Sequence, residues 1–428
     1  SPLSASDFFR RQNVIEYGEG QLREDSAAIQ VLAAAEGLHG HGRAVQFRAE
    51  RDAGSAQAEV PARSGGGKAS PGSFIRSTVR PLAAYGPPRD PAPVPLHLNE
   101  SPHDLPPELK RKLAGQLERS DWSKYPITEG AGLAQDLAQT AGVPASSILV
   151  GNGSNELLQL LLLATLAPGD AVVLAQPSFS LYALQAKALG ARVVEVPLRS
   201  PSEKGGPFRF PVAALVQAAR ESNAKLTLLA SPNNPTGTVL SLDEAAELSR
   251  GVPGLLGIDE AYHEFCGQDF APLLPEHPRL VLFRTFSKAL AAASLRCGSL
   301  FAHPSLCAEL RKVQLPYNLS ASTCLVARAL LAQPQLVAAR VAEVIAERER
   351  ISAAIGQLQA RVHASGANFL LFEQEKRPAA ELHAALFARG VLIRNVSSAP
   401  GLSRALRVSI GARPANDAFL AALRAELP

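Results

Sequence analysis

The sequence predicts an α/β protein: a mainly parallel sheet sandwiched by helices, followed by a smaller α+β C-terminal domain. Three observations predict it. Short apolar runs alternate with helix-like segments from residue 147 to about 283, the pattern of a parallel sheet covered on both faces. Nearly every polar motif follows directly on one of those runs, at the carboxyl edge where such sheets collect their chemistry. Beyond residue 318 come a long Ala- and Glu-rich helical pattern and two further apolar runs, enough for a second, smaller unit.

Composition sets the outer limits. The chain has 428 residues, 46% hydrophobic and 19% charged, so about three domain-sized units and a sizeable core are expected. Net charge is +4 and the pI about 8.9. Much of the excess lies between Arg43 and Arg89, with no stripe that argues for nucleic acid. Leu157 to Leu166 is too short to span a bilayer. No signal-peptide pattern opens the chain. Four scattered cysteines show neither paired metal spacing nor a disulfide framework, and they suit a reducing cytoplasm. Met is absent. The expectation is a cytoplasmic protein with no nucleic-acid or membrane partner and no metal.

Residues 1–51 carry a helical periodicity over Ala27–Leu38 and a short apolar run at 44–47, too little for a core of their own. Residues 52–75 are poor in large apolar residues and hold Arg63-Ser64-Gly65-Gly66-Gly67-Lys68, which reads as a flexible linker. Without a preceding strand or the required spacing, this Gly run is no phosphate loop. From Arg80 the chain is extended by prolines through Leu96-His97-Leu98-Asn99-Glu100-Ser101-Pro102. A helix is expected over 107–118, and then comes Trp122-Ser123-Lys124-Tyr125-Pro126.

The strand–loop–helix units follow in order. Ile148-Leu149-Val150 runs into Gly151-Asn152-Gly153-Ser154-Asn155, a tight turn opening a helix. Free N–H groups and the helix dipole there can hold a phosphate, although Ser154 could equally be a plain N-cap. Ala171–Leu174 leads to Pro177-Ser178-Phe179, whose ring offers a stacking face. Another strand is expected at 192–196. Lys225–Ala230 leads to Asn233-Asn234-Pro235-Thr236-Gly237, and Leu255–Ile258 to Asp259-Glu260-Ala261-Tyr262. A carboxylate buried at a strand end needs a cationic partner, and a protonated pyridine nitrogen is one. Asn234 and Tyr262 can donate to a phenolate oxygen.

Arg279–Phe283 then leads to Arg284-Thr285-Phe286-Ser287-Lys288, with an Ala-rich segment expected to be helical and Arg296 eight residues after the lysine. An amine at a buried strand end can lose its proton and act as a nucleophile. Arg296 offers paired donors to a phosphate, with Thr285 and Ser287 beside it. A phosphate clamp, a pyridinium partner, a phenolate clamp and an amine nucleophile together describe a pyridoxal-phosphate site. In the C-terminal part a helix is expected over 340–359 and strands over 368–372 and 406–410.

On Asn234-Pro235-Thr236-Gly237, Asp259-x-x-Tyr262 and Ser287-Lys288 with Arg296, residues 80–428 resemble the fold-type I aminotransferases. The softer matches are Asn99-Glu100-Ser101-Pro102, Tyr125-Pro126, Gly151-Asn152-Gly153-Ser154, Glu260-Ala261-Tyr262-His263-Glu264-Phe265, Pro316-Tyr317-Asn318, Arg394-Asn395 and Leu406-Arg407-Val408. On these the chain resembles the histidinol-phosphate aminotransferases.

The resemblance implies pyridoxal 5'-phosphate as cofactor and transamination of histidinol phosphate with 2-oxoglutarate or glutamate. It implies Lys288 as the Schiff-base lysine and proton carrier, Asp259 on the ring nitrogen, Asn234 and Tyr262 on the ring oxygen, and Phe179 stacked on the ring. Gly153, Ser154, Asn155, Thr285, Ser287 and Arg296 would take the phosphate, and Tyr125 the phosphate of a partner subunit in a homodimer. Tyr85, Arg394 and Arg407 are the candidates for the substrate phosphate and for the carboxylate of the second substrate. Departures from the family pattern are Asn155 for an acidic residue, no Gly within 289–294, and Ser299 for an aromatic one. A threonine-phosphate decarboxylase, an aromatic amino-acid aminotransferase and a non-catalytic binding protein on this scaffold stay open.

Residues 1–51 in turn resemble the C-terminal tail of histidinol dehydrogenase. The likeness rests on Ser1-Pro2-Leu3-Ser4 with Asp7-Phe8, Val14-Ile15-Glu16-Tyr17, and Ala34-Ala35-Glu36-Gly37-Leu38 followed by His41 and Arg43-Ala44-Val45. The family's zinc ligand matches His41, but one imidazole is no zinc site, so no dehydrogenase activity is expected. The expected division is 1–51 tail, 52–75 linker, 76–120 N-terminal arm with part of the small domain, 121–318 large cofactor domain and 319–428 small domain. Residues 1–70 are expected to be dispensable for transamination.

Overall fold

Six of the apolar runs and one further strand pair into one sheet in a computed structural model that describes residues 71–86, 91–201 and 207–427. The histidinol-dehydrogenase-like tail, with Glu36 and His41, and the linker up to residue 70 lie outside the described residues. The strands are β1 (Val94–Pro95), β2 (Ile148–Gly151), β3 (Ala171–Gln176), β4 (Arg192–Pro197), β5 (Leu226–Ala230), β6 (Leu255–Asp259), β7 (Leu280–Thr285), β8 (Gly298–Ala302), β9 (Arg361–Val362), β10 (Phe369–Glu373), β11 (Val391–Leu392), β12 (Arg394–Asn395) and β13 (Ala405–Ser409). The large sheet has the order β2-β8-β7-β6-β5-β3-β4. Strands β4, β3, β5, β6 and β7 run parallel, and β8 lies antiparallel between β7 and β2.

Alternation along each strand divides its side chains between two cores. Val172, Leu174, Leu226, Leu228, Val281 and Phe283 face the helices 154–165 and 181–188. Val173, Leu229, Ile258, Leu280 and Leu282 face the other side, with Leu133, Leu215 and Leu248 from helices 129–141, 212–221 and 242–251. Local signals place these helices well: Ser241 and Glu244 form a reciprocal capping box at the start of 242–251. Register then sets Ala230 beside Asp259 and Asp259 beside Phe283, so β5 and β6 end level and β7 runs on to Thr285. That common edge carries the polar motifs.

The second sheet, β12-β13-β10-β9, is antiparallel. It shares a core with helices 334–356, 379–388 and 413–426. The N-terminal segment belongs to this unit: β1 pairs with β11 and Leu96 is buried in the same core. Helix 321–331 does not. Its Cys324, Ala327 and Leu330 lie with Leu133 in the core of the large sheet. Packing therefore changes cores between Leu331 and Pro334, later than the 319 start expected for the small domain.

The Ala-rich helix expected after Lys288 is absent as well. Residues 289–297 form turns and a 3-10 helix at Ala293–Leu295, with positive φ at Ala291 (57°) and Arg296 (52°). An α-helix would carry Arg296 about 12 Å along its axis from Lys288. Instead Phe286 N–H donates to Cys297 O and Ala292 N–H to Phe286 O, both at 3.0 Å. The chain doubles back and lays Arg296 against Ser287.

Next to the common edge, Glu260 is fully buried and paired with Arg284 at 2.8 Å. Arg284 also bonds Asp269 and lies 4.8 Å over the Phe301 ring. Breaking such a buried pair from one side typically costs about 3–5 kcal/mol, because a lone charge remains. Among the described residues no single helix is long and apolar enough to cross a membrane.

Candidate active site

A cleft of about 390 Å³ opens on the shared strand edge, between the large sheet and β12–β13. It is lined by Tyr85, Ser154, Asn155, Phe179, Asn234, Asp259, Tyr262, Thr285, Ser287, Lys288, Arg296, Arg394 and Arg407. These come from eleven separate stretches of sequence. Gly153 lies directly behind them. Among the described residues expected at the cofactor site, Tyr125 does not line this cleft.

Lys288 follows β7 by three residues and turns toward the segment that enters from the small sheet. Its Nζ donates to the carbonyls of Asn99 (2.8 Å) and Leu98 (3.1 Å). Burial, with Arg407 and Arg296 adding to it, brings its pKa down to about 8, against the opposing charges of Glu100 and Asp259. The amine is thus within reach of its neutral form near physiological pH.

Asp259 ends β6. Its Oδ1 accepts the Ala261 N–H at 3.0 Å, and its Oδ2 accepts the Tyr182 hydroxyl at 2.7 Å. Burial raises its pKa to about 6, with Glu260 adding to the rise and Tyr182, Ala261 and Lys288 opposing it. No Lys or Arg forms an ion pair with this carboxylate among the described residues. A cation brought by a ligand would meet it unneutralised. Tyr182 was not legible as a functional residue: at the start of an apolar helix it reads as core. Its one signal was the phenol itself, which needs a partner when fully buried.

Tyr262, Asn234 and Arg407 line the same part of the cleft. The Arg407 Nη1 donates to Asn234 Oδ1 at 2.5 Å, which leaves the amide's Nδ2 as the donor for a ligand. Its Nη2 donates to His97 O at 2.7 Å. Among the described residues the buried Nε of Arg407 has no hydrogen-bond partner, an orphan that a bound anion would satisfy. Burial lowers the Arg407 pKa to about 10. Tyr262 titrates above its usual value because it is buried, with Arg407 opposing. Its hydroxyl accepts from Asn99 Nδ2 at 3.0 Å. Asn99, 1% exposed and at φ 53°, also exchanges hydrogen bonds with Ser409, and its carbonyl takes Asn368 Nδ2. The sequence motif marked Asn99 but gave it no task. The structure makes it the joint between the small sheet, Tyr262 and Lys288.

On the other side of Lys288 the donors gather. Helix 154–165 starts at Gly153 without a side-chain cap, so its first N–H groups are available. Gly153 has φ 77°, and a Cβ there would lie 2.6 Å from Arg296 Nη2, so only glycine lets the arginine approach the turn. Arg296 Nη1 donates to Ser287 Oγ (3.3 Å), and Thr285 Oγ1 to Ser287 Oγ (3.0 Å). An uncapped helix terminus, one guanidinium and two hydroxyls in one corner fit a phosphate. Phe179 forms one wall, edge-on to Tyr85 at 5.6 Å. Arg394 and Arg407 are cross-strand partners on β12 and β13, two cations on one side of the opening. Tyr125 is 73% exposed and stacks on Tyr317 at 4.8 Å.

Residues 92–423 match the family model for aminotransferase class I and II. Histidinol-phosphate aminotransferase of Chlorobium phaeovibrioides is 35% identical over 355 residues, 82% of this chain and 96% of that one. The Thermococcus kodakarensis protein of that name is 35% identical over 328 residues, 77% of this chain and 91% of its own. Among solved structures, histidinol-phosphate aminotransferase from Sinorhizobium meliloti in complex with pyridoxal-5'-phosphate superposes with a TM-score of 0.73 at 24% identity, covering 83% of this chain and 98% of that chain. L-threonine-O-3-phosphate decarboxylase from Porphyromonas gingivalis superposes at 0.67 and 23% identity, covering 78% and 99%.

Proposed function

The chain belongs to the class I and II aminotransferases, and from that premise we propose that it transfers the amino group between histidinol phosphate and the glutamate/2-oxoglutarate pair in histidine biosynthesis, with pyridoxal 5'-phosphate as cofactor. The observation that carries the chemistry is Lys288, an amine brought to a pKa of about 8 and set near a buried carboxylate that forms no ion pair among the described residues. Bound pyridoxal 5'-phosphate supplies a ring that accepts the electrons left when a substrate's α-proton departs.

The residues present fit that cofactor. Asp259 would hold the ring nitrogen in its protonated state, and Asn234 Nδ2 and the Tyr262 hydroxyl would donate to the ring oxygen. Phe179 would stack on the ring. The N–H groups of Ser154 and Asn155, beside Gly153, would hold the phosphate with Thr285, Ser287 and Arg296. Lys288 would take the α-proton and deliver it to the carbon on the far side of the amino nitrogen, with the Leu98 and Asn99 carbonyls as its resting partners. Tyr85, Arg394 and Arg407 would receive the phosphate of histidinol phosphate and the carboxylate of the second substrate, anions that suit two arginines better than an apolar substrate would.

A substrate panel tests this reading. Amino transfer from histidinol phosphate to 2-oxoglutarate should exceed transfer from phenylalanine. Release of CO2 from threonine phosphate in preference to amino transfer would put the decarboxylase in its place, a rival with the same fold.

The setting proposed is a cytoplasmic homodimer acting on small molecules, with no nucleic-acid or membrane partner. Trp122, Tyr125, Ile127 and Leu315 are at least 70% exposed, an apolar surface that association would cover. A Tyr125 hydroxyl that reaches the partner's cofactor phosphate would contribute a hydrogen bond to a charged group, worth about 1.5–3 kcal/mol. Tyr125→Phe is therefore expected to weaken cofactor binding by roughly one to two orders of magnitude. Mixed dimers of Tyr125→Phe and Lys288→Ala subunits should regain wild-type affinity at the site that keeps Lys288. Hybrids that stay as weak as the Tyr125→Phe homodimer would show that Tyr125 serves its own subunit.

A further inference from the structure

We propose that Tyr182 is a positioning residue of this site, one phenol that fixes both the carboxylate and the aromatic face between which the cofactor ring lies. The proposal rests on the pyridoxal-phosphate reading above, and it assigns a task to a residue that touches neither substrate nor cofactor.

The hydroxyl of Tyr182 is spent on one partner. It donates to Asp259 Oδ2 at 2.7 Å from a side chain 1% exposed. The Ala261 N–H donates to the other oxygen at 3.0 Å. Two donors from different elements define the plane of a carboxylate. Rotation about its last torsion would break one of the bonds, and both acceptor oxygens keep a lone pair for a third donor in the cleft. Asp259 thus meets a ring nitrogen with its orientation already set, and no reorganisation is needed on binding.

The same ring holds Phe179. The two aromatic planes stand edge to face at 5.5 Å and 89°, a favoured aromatic arrangement. The backbone closes the unit, since the Tyr182 N–H donates to Phe179 O at 3.1 Å. In Phe179-x-x-Tyr182, then, one turn couples the stacking wall to the residue that anchors the ring-nitrogen partner. Phe179 is in turn edge-on to Tyr85 at the substrate end of the cleft.

Charge completes the case. Burial, then the adjacent Asp259 charge, pushes the Tyr182 hydroxyl well above its ordinary pKa. It therefore remains a donor throughout the working range. Donation to Oδ2 favours the ionised carboxyl. The other groups facing Asp259 are Glu260, which opposes ionisation, and Lys288, which favours it, while Tyr262 faces Tyr182. Without the Tyr182 hydroxyl the carboxyl moves further up from about 6. Its ionised form is then scarcer at neutral pH, although the ring has lost no contact of its own.

Titrating apoprotein with pyridoxal 5'-phosphate from pH 5.5 to 8.5 tests this, using wild type, Tyr182→Phe, Asp259→Asn and the double variant. Phe keeps the ring and its contact with Phe179, so thermal melting should find Tyr182→Phe folded. Affinity near pH 6.5 should fall roughly tenfold or more, the loss expected for a hydrogen bond to a charged group. The acidic limb of the binding curve should move up by about one pH unit. In the Asp259→Asn background the same change should alter affinity less than about twofold, because a residue that acts through another has nothing left to act on. An equal loss in both backgrounds, or an unmoved acidic limb, would reduce Tyr182 to packing and overturn the proposal. Wild-type protein that fails to bind the cofactor at any pH would instead sink the reading on which it rests.

Discussion

Lys288→Ala is expected to abolish the covalent hold on the cofactor and to lower turnover by about three orders of magnitude or more, since the proposed nucleophile and proton carrier are lost together. Loss of fold must be told apart from loss of chemistry, and the lysine's own titration does this. Burial holds its pKa at about 8, below the ordinary 10.5. Between those values the unfolded chain binds more protons than the folded one, so this group's contribution to stability rises with pH across that window. At pH 7 the lysine is folded in as a buried ammonium, which opposes folding. The alanine apoprotein should therefore melt no lower than wild type at pH 7, and its relative position should worsen toward pH 10. Asn99 O loses one donor but keeps Asn368 Nδ2 at 3.0 Å. A variant that folds, retains the visible absorption of a lysine-linked cofactor and still turns over would remove Lys288 from the mechanism.

How much of this could be read from the chain alone depends on the range of the contacts involved. Six strands of the sheet were legible as short apolar runs set between helix-like segments, and such runs have few ways to pair, whereas β8, inserted antiparallel between β7 and the distant β2, was not. The cleft was legible for the same reason: Phe179, Asn234, Asp259 and Lys288 each follow a strand directly, and a parallel sheet ends its strands on one edge. Local pattern failed where a distant segment decides. Residues 289–297 have helical composition, yet Cys297 O and Phe286 O claim the backbone donors and the chain turns back. Helix 321–331 looks like the start of the small domain, but its apolar face fits beside Leu133. Tyr182 and Asp259 are 77 positions apart, and Asn99 and Ser409 are 310 apart. No periodicity carries such pairs, and they hold the two residues whose parts in the site went unread. The Glu260–Arg284 pair is a milder case, since an acid next to Asp259 reads as part of the motif rather than as a buried charge with its own counter-ion.

Asp259→Asn should move catalysis and stability in opposite directions. Without the carboxylate the ring nitrogen would lose the group proposed to keep it protonated, and a fall in kcat of roughly two to four orders of magnitude is expected, the usual range for a positioned acid–base partner. Stability follows from the carboxyl's rise from 3.8 to about 6. A raised carboxyl pKa means the folded apoprotein binds more protons than the unfolded chain between those values, so stability falls as pH rises through that window. Above pH 6 the full cost of a buried, uncompensated charge is present, at most about 3 kcal/mol for a shift of this size. Asparagine removes the charge and keeps the geometry: its oxygen can accept the Ala261 N–H while its amide donates to the Tyr182 hydroxyl. Apoprotein carrying Asp259→Asn should thus melt above wild type at pH 8 and close to it at pH 4. Cofactor should reverse the order, because only the wild-type carboxylate gains a cationic partner and ligand binding adds to the stability of whichever form it prefers. Melting curves of both proteins at pH 4 and 8, with and without cofactor, check all four cases. A gap between the apoproteins that does not widen from pH 4 to pH 8 would mean that Asp259 carries no buried charge awaiting a partner, and the assignment of the ring-nitrogen site would fall with it.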